Sequence, residues 1–180
     1  MTGPAPRIRP ARSADAAEIA RIVRESYANL PGRHVPADMP IYHPEYHAVQ
    51  MLDPITRWAL ACSSGVPVGV AMWRLLPGLA HLHLLFVAGS HQGRGVGVAL
   101  LKHHQREARR EQRDTRLLTL HCLRDSHWAV RFYERHGYTE YEAGDEGRIV
   151  DLHLWIDACR RHDSGWPLRS DKALFYKRLR

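Results

Sequence analysis

Several things are scarce in this chain of 180 residues, and each scarcity excludes a class of protein. Cysteine occurs three times, at Cys62, Cys122 and Cys159. An odd number at wide spacing builds neither a disulfide framework nor a thiolate zinc site. It suits a reducing compartment, so a cytoplasmic protein is expected. No run of 18 apolar residues exists, which excludes a membrane-spanning helix. Met1–Arg7 has no apolar core, so no secretory signal is expected. Lysine is nearly absent: only Lys102, Lys172 and Lys177 stand among 26 cations. The net charge of +7 is therefore carried by arginine. Charge of that sign suits an anionic partner, whether nucleic acid, acidic lipid or a phosphorylated cofactor, without choosing among them. The 13 histidines are scattered. What is present is apolar side chain, 44% of the residues, enough for a core in one ordinary domain. No repeat or linker divides the chain, so residues 1–180 are expected to form a single domain.

Ile8-Arg9-Pro10 reads as a short strand, and Ser13 as the cap of a helix from about Ala14 to Tyr27, with Ile19, Ile22, Val23 and Tyr27 on one face. Between Leu30 and Pro54 the periodicity fails among five prolines. A short helix after Pro44 is the only element expected there. Alternation then marks three strands, Trp58–Cys62, Val68–Trp73 and His81–Val87, joined by Ser63-Ser64-Gly65 and Pro77-Gly78. Pro67 is expected just before the second of them. A glycine turn follows, then a helix to about Gln112, a strand Leu117–Leu123, and a helix from Ser126 that stops at Gly137. Val150, Leu152, Leu154 and Ile156 alternate again, and Ala173–Leu179 is a last strand candidate. A strand–helix–strand crossover after an antiparallel meander predicts an α/β or α+β class with a mixed, mostly antiparallel sheet and helices packed on it.

The glycine turn carries the chemistry. After Leu84-Leu85-Phe86-Val87 comes Gln92-Gly93-Arg94-Gly95-Val96-Gly97, which opens a helix. N–H groups of a first helical turn have no intrahelical partner. With the positive end of the helix dipole, they suit an anion. Two phosphate motifs are excluded. A Walker loop needs Gly-Lys-Ser/Thr, and no Gly-Lys pair occurs. The glycines at 93, 95 and 97 do not give G-x-G-x-x-G, and no acidic residue ends the next strand. A bare tight turn would also use these glycines.

Gln92-x-x-Gly95-x-Gly97 after an apolar strand resembles the acetyl-CoA pyrophosphate loop of the GNAT acyltransferase superfamily. Ala129-x-x-x-Tyr133-x-x-x-Gly137-Tyr138 is similar to that family's second signature, and Ile8-Arg9-Pro10-Ala11 and the final Ala-Leu-Phe-Tyr-Lys-Arg-Leu to its first and last elements. The resemblance implies an acyl-CoA N-acyltransferase fold with helices on both faces of the sheet. It implies an acetyl-CoA-dependent N-acyltransferase, moving an acetyl group from acetyl-CoA as co-substrate to a primary amine by direct attack. Leu85, Phe86 and Val87 would meet the pantetheine arm, and the Val87 N–H would polarise the thioester carbonyl. Gln92, Gly93, Arg94, Gly95, Val96 and Gly97 would hold the pyrophosphate. Tyr133 matches the tyrosine that protonates the departing thiolate, although Ala129, Phe132, Tyr133 and His136 also share a face that a core would use.

His81 stands where some family members place a carboxylate base, eleven residues before Gln92, and His83 faces the same way. Both also read as ordinary polar residues on a half-solvated face. As a metal pair they lack a third ligand at any nearby spacing, and His43-Pro-Glu-Tyr-His47 is no better, so no metal is expected. Ser126 stands where the family often has Asn, which leaves an amide contact to the cofactor open. Thr139–Asp171 is longer than the usual excursion between the last two strands, and with Leu30–Pro54 would shape the acceptor pocket. Tyr42, Tyr46, Trp73 and Trp155 are candidates to line it. Two other classes stay open. One is an acyl-CoA-binding module without turnover. The other is a nucleic-acid-binding protein using Lys102–Arg116, where six cations are interleaved with three acids. The expected partners are acetyl-CoA and an amine, with no membrane; a homodimer is compatible with them.

Overall fold

A computed structural model describes residues 5–28, 38–142 and 172–179. The strands are β1 (Arg7–Pro10), β2 (Thr56–Ser63), β3 (Val66–Leu76), β4 (Leu79–Val87), β5 (Leu117–Leu123), β6 (Thr139–Glu140) and β7 (Lys172–Arg178). The helices are α1 (Ala16–Ala28), α2 (Pro44–Gln50), α3 (Val96–Glu111) and α4 (His127–Arg135). The strands pair in the order β1-β2-β3-β4-β5-β7-β6. β4 and β5 are parallel. The β1–β2, β2–β3, β5–β7 and β6–β7 pairs are antiparallel. The alternation at Val150–Ile156, Trp155 and Cys159 lie outside the described residues. The chain divides into two compact units, Met1–Arg74 with Leu84–Glu107, and Leu75–His83 with Ala108–Arg180.

In the first unit the meander carries helices on both faces. Ile19, Ile22 and Val23 of α1 are completely buried and cluster with Trp58, Leu60, Val70, Met72 and Leu84. Each such side chain contributes about 1.5–3 kcal/mol by leaving water. Gly69 and Trp73 alternate with Val70 and Met72 and so look the other way, toward α3. A Cβ at Gly69 would lie 2.8 Å from Val96 Cγ1 and 3.0 Å from Leu100 Cδ1. Trp73 meets the His104 ring at a centroid separation of 5.4 Å.

Two local expectations are corrected. Ser13 is not a cap: a 3-10 turn over Ser13–Asp15 precedes α1. Asp15 takes over the capping, accepting the Arg12 N–H at 2.8 Å and pairing with Arg9 at 2.7 Å. Pro67 lies inside β3, one residue after its start. The register slips there, with Ala61 opposite Gly69 but Cys62 opposite Pro67. Such a bulge tolerates a residue without an N–H.

In the second unit β5 lies between β4 and β7. Its alternating side chains give two faces. Thr119 and His121 share one face with His81, their partners across β7 being Tyr176 and Leu174. Leu118, Leu120 and Cys122 share the other with Phe175 and α4.

Candidate functional site

The glycine turn belongs to the first unit. β4 ends at Val87, a short 3-10 turn over Gly89–His91 follows, and α3 begins at Val96. The Gln92 side chain folds back and donates from Nε2 to the Val87 carbonyl at 3.1 Å. Gly93 and Gly95 have φ of +71° and +80°, a region other residues rarely adopt. No atom lies within 4 Å of a Cβ built at either position, so the turn opens outward. Gly97 is already helical, at the second position of α3. The first turn of this 16-residue helix contains no acid, and Gln92, Gly93, Arg94 and Gly95 are exposed. First-turn N–H groups and the helix dipole therefore meet where an anion would sit, with the exposed Arg94 in the same turn, and no carboxylate of the first helical turn opposes it. These residues fit the pyrophosphate of a coenzyme A. Gly69 was not among the sequence candidates, yet it lets the start of α3 settle on β3. Its only signal was a glycine interrupting an alternating strand.

The second signature lies in the second unit, and its spacing has a structural cause. α4 ends at Arg135, and Gly137 follows with φ of +80°. The Gly137 N–H donates to the Glu134 carbonyl at 2.9 Å, and the Tyr138 N–H to the Tyr133 carbonyl at 3.1 Å. This is a Schellman ending, in which Tyr133 and Tyr138 must meet, and their rings are 5.9 Å apart. The spacing Tyr-x-x-x-Gly-Tyr thus fixes where Tyr133 sits. Its ring is buried against Phe175 and Phe132. Burial, then the neighbouring Cys122, pushes its phenol above the ordinary tyrosine range. It carries its proton at neutral pH and is a donor. Burial likewise pushes the Cys122 thiol up to about 12, so it is not a thiolate. Ser126 occupies the N-cap of α4, but its hydroxyl makes no capping bond. Its carbonyl accepts the Ala129 and Val130 N–H groups.

His81 is 4% exposed, and its Nδ1 lies 2.9 Å from the Thr119 hydroxyl. His83 is half-buried on the same face. A third imidazole joins them from β5. His121 stacks on His81 at a ring separation of 5.3 Å and meets His83 edge-on at 5.9 Å. Nothing in the linear spacing indicated His121, because it is brought in by the parallel pairing of β4 with β5, which sets Thr119 opposite His81 across 38 residues of chain. The near-parallel stacking of His81 and His121, 27° between planes, does not aim their nitrogens at one point. Among the described residues no group of three or more His, Cys, Asp or Glu is arranged to hold a metal ion. β4 and β5 pair only from Leu79–Leu117 to Leu82–Leu120, and His83 and His121 are the next residues on each strand.

The remaining aromatic candidates differ. Tyr42 and Trp73 are core residues, and Tyr46 packs edge-on against His47 at 5.4 Å. His47 donates from Nε2 to the Ile41 carbonyl at 2.8 Å. It pins the short turn before α2, and among the described residues it belongs to no group of three or more that could hold a metal ion.

Residues 18–138, more than half of the chain, match the family described as acetyltransferase (GNAT). The chain belongs to this family. Acyl-CoA-dependent acyl transfer is the family's general activity. Solved structures of the same fold include PaiA N-acetyltransferase from Thermoplasma acidophilum in complex with coenzyme A, at 13% identity and a TM-score of 0.72, covering 98% of this chain and 100% of that one. An acetyltransferase from Thermus thermophilus is 22% identical with a TM-score of 0.67 over 99% and 100%. The ribosomal-protein-S18-alanine N-acetyltransferase from Escherichia coli is 17% identical with a TM-score of 0.68 over 97% and 94%. No helix among the described residues is long and apolar enough to cross a membrane.

Proposed function

We propose that this chain is an N-acetyltransferase that moves the acetyl group of acetyl-CoA to a primary amine of a small molecule or peptide in the cytoplasm. The observation that carries it is the glycine turn: two left-handed glycines and Arg94 at an acid-free helix start, one 3-10 turn after the end of β4. Residues 1–180 act as one catalytic domain, since the family match runs through both compact units. Gln92–Gly97 hold the pyrophosphate. Leu85, Phe86 and Val87 present backbone groups to the pantetheine arm, and the Val87 N–H stabilises charge on the thioester oxygen. Ser126 lies at the start of α4, where the cofactor passes in the family. Tyr133, kept protonated by burial, gives its proton to the departing thiolate. An amine attacks only as the neutral base, and His81 belongs to the group that takes its proton.

Gly95→Asp tests the reading, because it places a negative charge and a disfavoured backbone at the turn. Acetyl-CoA should raise the melting temperature of the parent by mass action and leave the variant unmoved. A folded variant that binds acetyl-CoA as tightly as the parent does would remove the turn from the site. A panel of amines and peptides monitored for CoA release identifies the acceptor, and absence of release with all of them would favour a binding module without turnover.

A further inference from the structure

We propose that Lys172 is a self-acetylation site, its Nζ taking an acetyl group from the chain's own acetyl-CoA with His121 Nε2 as the base. The proposal rests on the acetyl-transfer reading above and adds an internal acceptor to it. The scarcity of lysine frames it. All of the 26 cations except Lys102, Lys172 and Lys177 are arginine. A guanidinium keeps its proton and offers no amine to a thioester. Only three side-chain amines are therefore open to acetylation, and their surroundings differ. Lys102 is exposed on α3. Lys177 has a structural task, donating from Nζ to the His136 carbonyl at 2.8 Å just past the end of α4 and lying 5.7 Å from the centre of the Tyr138 ring. Lys172 is half-buried, and its Nζ lies 3.4 Å from His121 Nε2.

That contact has a direction. A lysine ammonium has three donors and no acceptor, so Nε2 meets it with its lone pair. A lone pair facing an N–H is what a base needs before it takes a proton, and such contacts tighten in the reacting complex. Strand pairing puts the lysine at the relevant end of the sheet. The β4–β5 ladder ends at Leu82 and Leu120, and His121 is the next residue of β5. The antiparallel register sets Lys172, the first residue of β7, opposite Leu123, two residues further on. From the same ladder end β4 runs on to Phe86 and Val87, the residues assigned to the acyl-pantetheine arm.

The step balances without any redox partner. One N–H bond of the Lys172 ammonium breaks, its electron pair stays on nitrogen, and His121 Nε2 takes the proton. The nitrogen attacks the thioester carbonyl carbon. A C–N bond forms, and the C–S bond breaks with its electron pair going to sulfur. A second proton leaves the nitrogen as the amide forms. Of the two protons given up, one ends on the sulfur of coenzyme A and one reaches water through the half-buried His121. The product amide is uncharged, so the modification removes a positive charge from beside that ring.

Mass spectrometry of the full chain incubated with acetyl-CoA alone tests this. The parent should gain one acetyl group, peptide mapping should place it on Lys172, and its rate constant should not change when the chain is diluted. Uncatalysed acylation gives another pattern. It favours the exposed Lys102, or Lys177, whose pKa is lowered by burial and then by Arg109. Lys172→Arg should abolish the gain. His121→Gln should slow acetylation of Lys172 about 100-fold, as loss of a base does, while acetyl-CoA still raises its melting temperature, which shows the variant folded and loaded. A parent that releases CoA with a free amine, yet stays unmodified or is acetylated equally at all three lysines, would overturn the proposal and leave the acetyl-transfer reading intact. A rate constant that falls on dilution would also overturn it, since transfer would then run between chains. A parent that does not bind acetyl-CoA would remove the earlier reading and this one together.

Discussion

Gly69 offers the sharpest test of how the anion site is positioned. Its φ is ordinary, so alanine costs no backbone strain and, by restricting the unfolded chain, stabilises by about 0.4–1 kcal/mol. Packing opposes this. The new Cβ would lie 2.8 Å from Val96 Cγ1, 3.0 Å from Leu100 Cδ1 and 3.2 Å from the Phe86 carbonyl oxygen. Val96 opens α3 and is stiff at χ1, and the Phe86 oxygen is backbone, so neither can swing aside. Relief requires α3 to lift off β3, and overpacking of this kind costs about 1–3 kcal/mol. The net expectation for Gly69→Ala is a loss of about 0.5–2 kcal/mol, which at this chain length lowers the melting temperature by about 1–8 °C. Gly69→Val adds two more methyl groups in the same gap and should cost more. Both variants should bind acetyl-CoA more weakly, because the displaced element is the one that presents the N–H groups. Thermal melting without ligand and calorimetric titration with acetyl-CoA give the two numbers. An alanine variant that melts at or above the parent, with unchanged affinity, would refute the reasoning.

Tyr133→Phe keeps the ring contacts with Phe175 and Tyr138 and removes the proton donor. kcat should fall about 100-fold or more, with acetyl-CoA affinity and melting temperature nearly unchanged. Gly137→Ala forces a Cβ into φ of +80°, while its nearest neighbour, Lys177, lies at an ordinary 3.5 Å. The cost is therefore backbone strain, about 1–2 kcal/mol in the urea unfolding free energy. His104 is wholly buried against Trp73, and burial, then His103, lowers its pKa to about 3. The unfolded chain binds a proton there below about pH 6.5 and the folded chain does not, so stability falls with pH by about 1.4 kcal/mol per unit across that window. His104→Leu should remove about 2 kcal/mol of the loss between pH 6.5 and pH 5, read as the difference between the two unfolding curves.

Elements with strong local signals were legible in the sequence. Leu117–Leu123 is bounded as expected, and α4 and the meander lie within a few residues of their expected limits. Errors arose where a side chain acts through space. Asp15 outcompetes Ser13 at the start of α1 because it can pair with Arg9 and the Arg12 N–H together. The two-residue strand β6 carries no periodicity of its own and exists through pairing with β7. The glycine turn was legible because its geometry is local: Gly93 and Gly95 need φ above zero, and the helix follows at once. The Tyr133–Gly137–Tyr138 spacing was legible for the same reason. Thr119 and His121 were not, because they meet His81 only through strand pairing, which no residue nearby in the chain reports.

The two faces of β5 constrain the order of chemical events. Tyr133, with Cys122 and Phe175, lies on the α4 side. His81, Thr119 and His121 lie on the opposite side. In the proposed reaction one group gives a proton to sulfur and another takes one from nitrogen. Held on one face, a buried phenol and an imidazole would be free to exchange that proton directly, without the substrate. A strand between them prevents this, so each proton must pass through the reacting centre. That centre must then lie at the level of the sheet, where donor and acceptor can both be reached. The β4–β5 ladder ends at Leu82 and Leu120, and His83 and His121 are the first residues beyond it on one face, as Cys122 beside Tyr133 is on the other. In the proposed reaction Tyr133 therefore serves the departing thiolate from the α4 face of β5, and His81 serves the amine from the other face.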